Sequence, residues 1–357
     1  MKQIYLSITA AGCETDCIHC WANGGRHKNM AFDDIEFVVK SFKNFSGSNG
    51  YKLGFNTMHE TLAHPDAISI LKLRNEQNKE IPNFVLKFIP TSGIPIAIRE
   101  DYKELLDGLA ELEFEGFHSV LHGFGETHDK AVSCKGAFEK LKIAAERVKS
   151  AGFSYSFGVM LTKNSIFELR EIKKFLSDCG IDKALGHGIA LYMSGKKLRK
   201  YDEIRIEYSD IISHSDEIEE LYAGPSMCKD LDGHTEAAYY KKAIEGKESF
   251  ETDTDVPKDD KIHLHCDKDL NIYNGDSIVF GECYGNLKEN SDMVFEKVNE
   301  GIINGRMKES LSPTLFYPNE IIPSVKELAE KYGDKNGQKI YRGGIYYKWL
   351  DKAFLKQ

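Results

Sequence analysis

The sequence has no stretch suited to crossing a bilayer: no uninterrupted apolar run approaches the roughly 20 residues that a spanning helix needs. A secretory signal peptide is also missing, because residues 1–9 read as a short alternating strand and not as a charged head with an apolar run. There is no excess of positive charge. With 47 Lys and Arg against 56 Asp and Glu, the net charge is −9, so nonspecific nucleic-acid binding has no general electrostatic support. Internal repeats and low-complexity segments are absent. These absences leave a soluble chain of 357 residues, room for one large domain and a smaller addition. A chain of this size buries about three quarters of its unfolded surface, so its core needs no disulfides.

What is present is concentrated near the start. Cys13, Cys17 and Cys20 lie in Ala11-Gly12-Cys13-Glu14-Thr15-Asp16-Cys17-Ile18-His19-Cys20-Trp21. The spacing is three residues, then two. Three thiolates so close on one loop can hold three irons of a [4Fe-4S] cube and leave the fourth iron open to a small ligand and to electron transfer. The competing reading is a structural zinc loop, which normally takes four ligands and two-residue gaps. His19 would be its fourth ligand, but it lies between Cys17 and Cys20, where its ring points poorly. Free thiols are only a few per cent thiolate at neutral pH, so iron binding must displace protons. An unshielded cluster favours a reducing, cytoplasmic location over a disulfide-forming one.

The rest of the first 200 residues alternates strand and helix patterns. Strands are expected at 2–9, 51–56, 84–89, 116–122, 153–161 and 184–193. Helices are expected at 32–45, 66–78, 101–112, 137–150 and 165–178. Pro65 suits a helix start, and Gly152 and Gly180 suit helix ends. Six such units in series predict a parallel sheet with helices outside. Six do not close an eight-stranded barrel, so an open partial barrel is expected, with its site on the loops at the carboxyl ends of the strands.

The cysteine loop after a first strand resembles the signature C-x-x-x-C-x-x-C of the radical S-adenosylmethionine (radical SAM) superfamily. That resemblance implies that the fourth iron chelates the amino and carboxylate groups of SAM. Reduction then splits SAM into methionine and a 5′-deoxyadenosyl radical, which takes a hydrogen atom from a substrate. The cofactor supplies the hard step and the protein positions and shields it. Met58-His59-Glu60-Thr61 stands where the family has Gly-Gly-Glu-Pro, which implies Glu60 as the contact of the SAM ammonium; a plain surface acid is the alternative. Thr91-Ser92-Gly93 matches the family's Thr-Asn-Gly, which makes Thr91 and Ser92 candidate SAM contacts, or else an ordinary strand-end turn. Ser119-Val120-Leu121-His122-Gly123 resembles Val-Ser-Leu-His-Gly, and His128-Asp129 and Gly136-Ala137-Phe138 follow as in the family. The family serine that meets the SAM carboxylate falls on Val120, so that contact is missing or replaced. His122 is either on the pocket floor or a buried structural histidine. Thr162 and Asn164 fall at the family's position for a polar ribose contact. Lys196 and Lys197 fall where members with an extension carry Gly-Arg.

Past residue 205 the pattern changes to a charged helix at 203–222, an acidic loop at 245–261, and a hairpin implied by Asn274-Gly275. Cys228, Cys266 and Cys283 in this region, with Gly285-Asn286-Leu287 after the last, resemble the SPASM or twitch extension of radical SAM enzymes. In that family the extension holds auxiliary iron–sulfur clusters. Three cysteines fall one short of a four-thiolate site; His263, His265 or the substrate would have to complete it. Otherwise these cysteines pack as small apolar residues. Cys134 and Cys179 read as structural. The tail, 291–357, reads as helices whose aromatic residues, such as Tyr346, Tyr347 and Trp349, pack on the barrel.

The combined expectation is an α/β protein with a partial (β/α)6 radical SAM barrel at 1–205, a small α+β SPASM/twitch-like extension at 206–290 and a helical tail at 291–357. Its expected cofactors are the [4Fe-4S] cluster on Cys13, Cys17 and Cys20, SAM, and an auxiliary cluster if the extension is complete. Its expected partners are a small-molecule or peptide substrate and a reductant such as flavodoxin or ferredoxin, with no nucleic acid and no membrane. Because strand one starts the chain, a peptide-modifying enzyme of this kind would need a separate leader-recognition partner. An iron–sulfur electron carrier is the non-enzymatic alternative, but it has no need of six β-α units around an open iron.

Overall fold

The computed structural model describes residues 3–18, 20, 24–79, 81, 87–185, 187–189, 203–223, 235–247, 261–275, 282–303 and 324–339. Cys228, His19, Lys196, Lys197, Tyr346, Tyr347 and Trp349 lie outside the described residues. Strands and helices alternate as β1 (Gln3–Ile8), α1 (Phe32–Ser48), β2 (Lys52–Thr57), α2 (Ala67–Asn78), β3 (Phe88–Pro90), α3 (Ile94–Ile98), α4 (Tyr102–Glu111), β4 (Gly116–Leu121), α5 (Glu126–Ala131), α6 (Ala137–Ser150), β5 (Ser154–Leu161), α7 (Leu169–Asp178), β6 (Ala184–Leu185) and β7 (His187–Ile189). β1 pairs with β2, and β3, β4, β5 and β7 pair in that order, all in parallel. The expected α/β partial barrel is therefore present. Helices α3 and α5, of five and six residues, are too short to leave a helical period in the sequence. The strand expected at 184–193 is split: β7 joins β5, while β6 pairs with β8 (Tyr222–Ala223).

The barrel wall opens between β2 and β3, which share no ladder among the described residues. Side chains of α2 cover the free edge of β2 instead. The Phe55 N–H donates to Asn78 Oδ1 at 2.9 Å, and its carbonyl accepts from Asn78 Nδ2 at 2.7 Å. Gln77 Nε2 donates to the Leu53 carbonyl at 3.1 Å. Backbone groups that would otherwise be stranded in the interior are thus satisfied.

Alternation along β1 sorts its faces. Ile4, Leu6 and Ile8 enter a core with Ile35, Val38 and Phe42 of α1 and Leu53 and Phe55 of β2. Thr9 and Tyr5 belong to the opposite face, where Tyr5 stacks on His263 and the Thr9 hydroxyl lies 2.9 Å from His265 Nε2. These partners reveal a difference from the expected layout. The C-terminal extension is built into the barrel sheet and is not appended beside it. β9 (Lys261–Cys266) runs parallel to β1 over six residues, Gln3 opposite Lys261 through Ile8 opposite Cys266. β10 (Asn271–Asn274) and β11 (Cys283–Asn286) continue it antiparallel, giving the order β11-β10-β9-β1-β2. The turn between β9 and β10 is Asp267–Leu270, where Asp267 Oδ1 accepts from the N–H groups of Asp269 and Asn271, both at 2.9 Å. This Asx turn is a second hairpin; Asn274-Gly275 opens the connection from β10 to β11.

The charged helix expected at 203–222 is two short ones, α8 (Tyr208–Ser213) and α9 (Ser215–Leu221). α10 (Glu236–Ile244) packs against α12 (Val325–Tyr332), and α11 (Ser291–Ile303) closes the core over β9–β11 through Val294 and Val298. Arg205, fully buried, makes a 3.0 Å ion pair with buried Glu236 and ties the end of the barrel to α10. Removing one partner of such a pair leaves the other charge stranded. Arg205→Met is expected to cost about 3–5 kcal/mol in urea unfolding, and Glu236→Leu added to it should restore part of that loss.

Candidate active site

The loop that follows β1 is held at both ends by backbone. The Cys13 N–H donates to the Gly25 carbonyl at 2.9 Å, and those of Asp16 and Ile18 donate to the Val132 and Ala131 carbonyls at 2.9 and 3.1 Å. α5, which sequence periodicity could not signal, ends at these carbonyls. Gly12 is required by close approach: a Cβ there would lie 2.7 Å from the His27 nitrogen and 2.9 Å from the Gly25 oxygen. Gly24 faces the cysteines, since its Cβ would lie 3.3 Å from Cys20 Sγ and 3.4 Å from Cys13 Sγ. The Gly24 N–H donates to Cys20 Sγ at 3.0 Å. Two sulfurs thus meet one side-chain-free position with an amide aimed at one of them, which suits a group held by these thiolates. Among the described residues, no set of His, Cys, Asp and Glu side chains converges as on a single metal ion. Burial pushes the Cys13 thiol above its ordinary pKa, and the neighbouring Glu60, Cys20 and Cys17 push it further. Loading a metal there releases protons.

Glu60 follows His59, whose φ is +63°, a conformation that histidine tolerates better than most side chains. That turn replaces the glycines expected from the family pattern and carries Glu60 inward, where it is buried. Its carboxylate bridges the opening between β2 and β3. It accepts from Thr91 Oγ1 at 3.0 Å and from both the backbone N–H and Oγ of Ser92 at 2.6 Å. Gly93, at φ +77°, makes the turn that presents these donors; a Cβ there would also lie 2.7 Å from Leu141 Cδ1. Burial raises the Glu60 pKa while the Ser92 and Thr91 bonds oppose it. Below the loop, His64 accepts at Nδ1 from the Asp66 N–H and donates from Nε2 to the Met30 carbonyl at 2.7 Å. Arg99 Nη1 donates to the Leu62 and His64 carbonyls at 3.1 and 2.8 Å. The segment carrying Glu60 is therefore rigidly mounted.

Cys13, Cys17, Cys20, Glu60, Thr91 and Ser92 line one cavity of about 380 Å³, together with His59, Arg74, His118, Val120, His122 and His128. His128 is fixed as one tautomer, because its Nδ1 accepts from the His122 N–H at 3.2 Å and its proton must sit on Nε2. Burial lowers its pKa from the ordinary 6.5 to about 4. The unfolded chain therefore binds a proton below pH 6.5 that the folded chain refuses until about pH 4. Stability from this group is full above 6.5 and is lost as pH falls through 4, about 3 kcal/mol in all. His128→Asn is expected to flatten the acid side of the stability profile, measured by urea midpoints across that range.

The remaining candidates sit elsewhere. Thr162 closes its own turn: its N–H donates to Ser165 Oγ at 2.8 Å, and its Oγ1 accepts from the N–H groups of Asn164 and Ser165 at 3.3 and 3.1 Å. Neither Thr162 nor Asn164 is on the cavity wall. Cys266 is buried in the core on the face of Ile272, its partner across the ladder. Cys283 is exposed and pairs with Tyr273. The β10–β11 ladder shifts register between Ile272 and Tyr273, and the two cysteines lie in different surroundings, Cys266 in the core and Cys283 exposed.

Residues 7–176 match the model of the radical SAM superfamily. No curated protein matches the chain. Similar solved structures include Streptococcus suis SuiB bound to S-adenosylmethionine, 13% identical with a TM-score of 0.48, covering 96% of this chain and 77% of that one. Native anSMEcpe with bound AdoMet is 17% identical with a TM-score of 0.47, covering 83% and 82%. SuiB bound to the precursor peptide SuiA is 14% identical with a TM-score of 0.42, covering 78% and 60%; this chain spans less than two thirds of that protein's length.

Proposed function

Because residues 7–176 of this chain are a radical SAM domain, with a [4Fe-4S] cluster and SAM as its cofactors, we propose that Cys13, Cys17 and Cys20 hold the cluster and that Glu60 receives the SAM ammonium. The observation that carries this reading is the cavity shared by three thiols and a buried carboxylate held by three hydrogen bonds. When bound, the cluster held by Cys13, Cys17 and Cys20 would supply the electron for reductive cleavage of SAM and so for hydrogen-atom abstraction. The residues of the chain bind, orient and shield. Thr91 and Ser92 aim the Glu60 carboxyl and favour its ionised form against the burial that raises its pKa, so that an ammonium meets a preorganised acceptor. The Gly24 amide stabilises the Cys20 thiolate. Burial of the wall keeps water from the reacting atoms. Thr162 and Asn164 take a structural part, as a turn, in this reading. The substrate is a small molecule or a peptide, the electron donor a flavodoxin or ferredoxin, and the compartment the reducing cytoplasm. No helix among the described residues is long and apolar enough to cross a membrane.

The test is chromatographic. Anaerobically reconstituted protein, reduced and given SAM, should form 5′-deoxyadenosine. An iron–sulfur electron carrier would keep its colour and form none.

A further inference from the structure

The cavity beside the cysteine loop has a second charged group on its wall. Arg74, in the third turn of α2, is 4% exposed and lines that cavity. Among the described residues its one hydrogen bond is a long one, from Nη2 to Oδ1 of the adjacent Asn75 at 3.4 Å. Its guanidinium also stands 5.4 Å from the centre of the Phe114 ring. No carboxylate among the described residues pairs with it. The other buried arginine differs: Arg205 has Glu236 at 3.0 Å. Burial draws the Arg74 pKa down to about 10, so the group is still charged at neutral pH. A guanidinium taken out of water without an anion is strongly unfavourable, and its planar fork matches a carboxylate or phosphate.

β2 and β3 share no ladder among the described residues, and between them a residue on an outer helix reaches the site. Gln77 and Asn78 bind the free edge of β2. Arg74, one turn before Asn78, reaches the cavity between β2 and β3, beside Ile89 and Pro90. Glu60 spans the same gap from the loop after β2 to Thr91 and Ser92 after β3. The cavity therefore offers a carboxylate for a cation and a guanidinium for an anion.

We propose that Arg74 is the anion-recognition residue of this cavity and receives a carboxylate or phosphate of a ligand bound beside the cysteine loop. The proposal deepens the function proposed above and shares its cavity. The anion has two sources, the carboxylate of SAM or an acidic group on the substrate. Val120 offers no hydrogen-bonding side chain for the first.

The experiment compares the reconstituted wild type with Arg74→Met, which keeps the bulk and removes the charge. Equilibrium binding is measured for SAM and for decarboxylated SAM. Melting temperature is measured with inorganic phosphate and with acetate, with SAM absent and present. The ligand-free methionine variant is expected to melt at least about 2 °C higher than the wild type, because an uncompensated buried charge is gone. A SAM affinity at least tenfold weaker in the variant, with decarboxylated SAM unaffected, assigns the anion to SAM. Unchanged SAM binding, with phosphate or acetate raising the wild-type melting temperature in the presence of SAM but not the variant's, assigns it to the substrate. Either result supports the proposal. Equal responses to SAM, phosphate and acetate in both proteins overturn it. Should Arg74→Met not fold, Arg74→Gln carries the same comparison. The arms without SAM do not depend on SAM chemistry, so a failure to form 5′-deoxyadenosine would count against the proposed function and not against anion recognition.

Discussion

Alanine at Cys13, Cys17 or Cys20 is expected to leave a folded protein that forms no 5′-deoxyadenosine above the uncatalysed level, a loss of about 10⁶-fold or more. The fold should survive because these side chains sit on a loop held by its backbone, through the Gly25, Val132 and Ala131 carbonyls, and not by sulfur packing. The chemistry should not survive, because two thiolates cannot hold the three irons that leave one open. The triple variant separates the two ends of the chain. Cys266 is buried in the core and Cys283 is exposed, so little or no iron is expected to remain. Close to four irons per chain surviving the triple substitution would place a complete second cluster in the extension.

Glu60→Gln is expected to weaken SAM binding roughly 10–150-fold, the equivalent of one charge-assisted hydrogen bond at about 1.5–3 kcal/mol. Iron content should be unchanged. The neutral amide keeps the shape but loses the charge, and one of its faces turns N–H groups towards the Ser92 donors. Thr91→Val removes one of the three bonds to the carboxylate and should cost less than the Glu60 change. Equilibrium binding of SAM to the reconstituted variants, with iron measured alongside, checks both. Unchanged affinity in Glu60→Gln would return Glu60 to a purely structural role between β2 and β3.

The strand–helix alternation was readable because each unit carries its own periodicity. The bounds of α6, for example, were legible from its apolar stripe and from Gly152 just past its end. The cysteine loop stood out by its spacing and Glu60 by the family resemblance, and both line one cavity. Other features were out of reach for physical reasons. α3 and α5 are shorter than two helical turns. The partner of Asn78 is the free edge of β2, which no local pattern announces. β9 lies beside β1 although more than 250 residues separate them; alternation shows that a strand exists but not which edge it joins. The Asp267 turn carries a weaker sequence signal than Asn274-Gly275, which in the fold opens the next connection. Arg74 was hidden inside an ordinary helix, and only the fold places it on the cavity wall.

The most direct measurement is the metal and sulfide content of anaerobically purified protein, followed by the low-temperature electron paramagnetic resonance spectrum of the reduced sample with and without SAM. Near four irons and four sulfides at Cys13, Cys17 and Cys20, with a spectrum that changes when SAM is added, is the predicted result. Stoichiometric zinc without sulfide on that loop would contradict it.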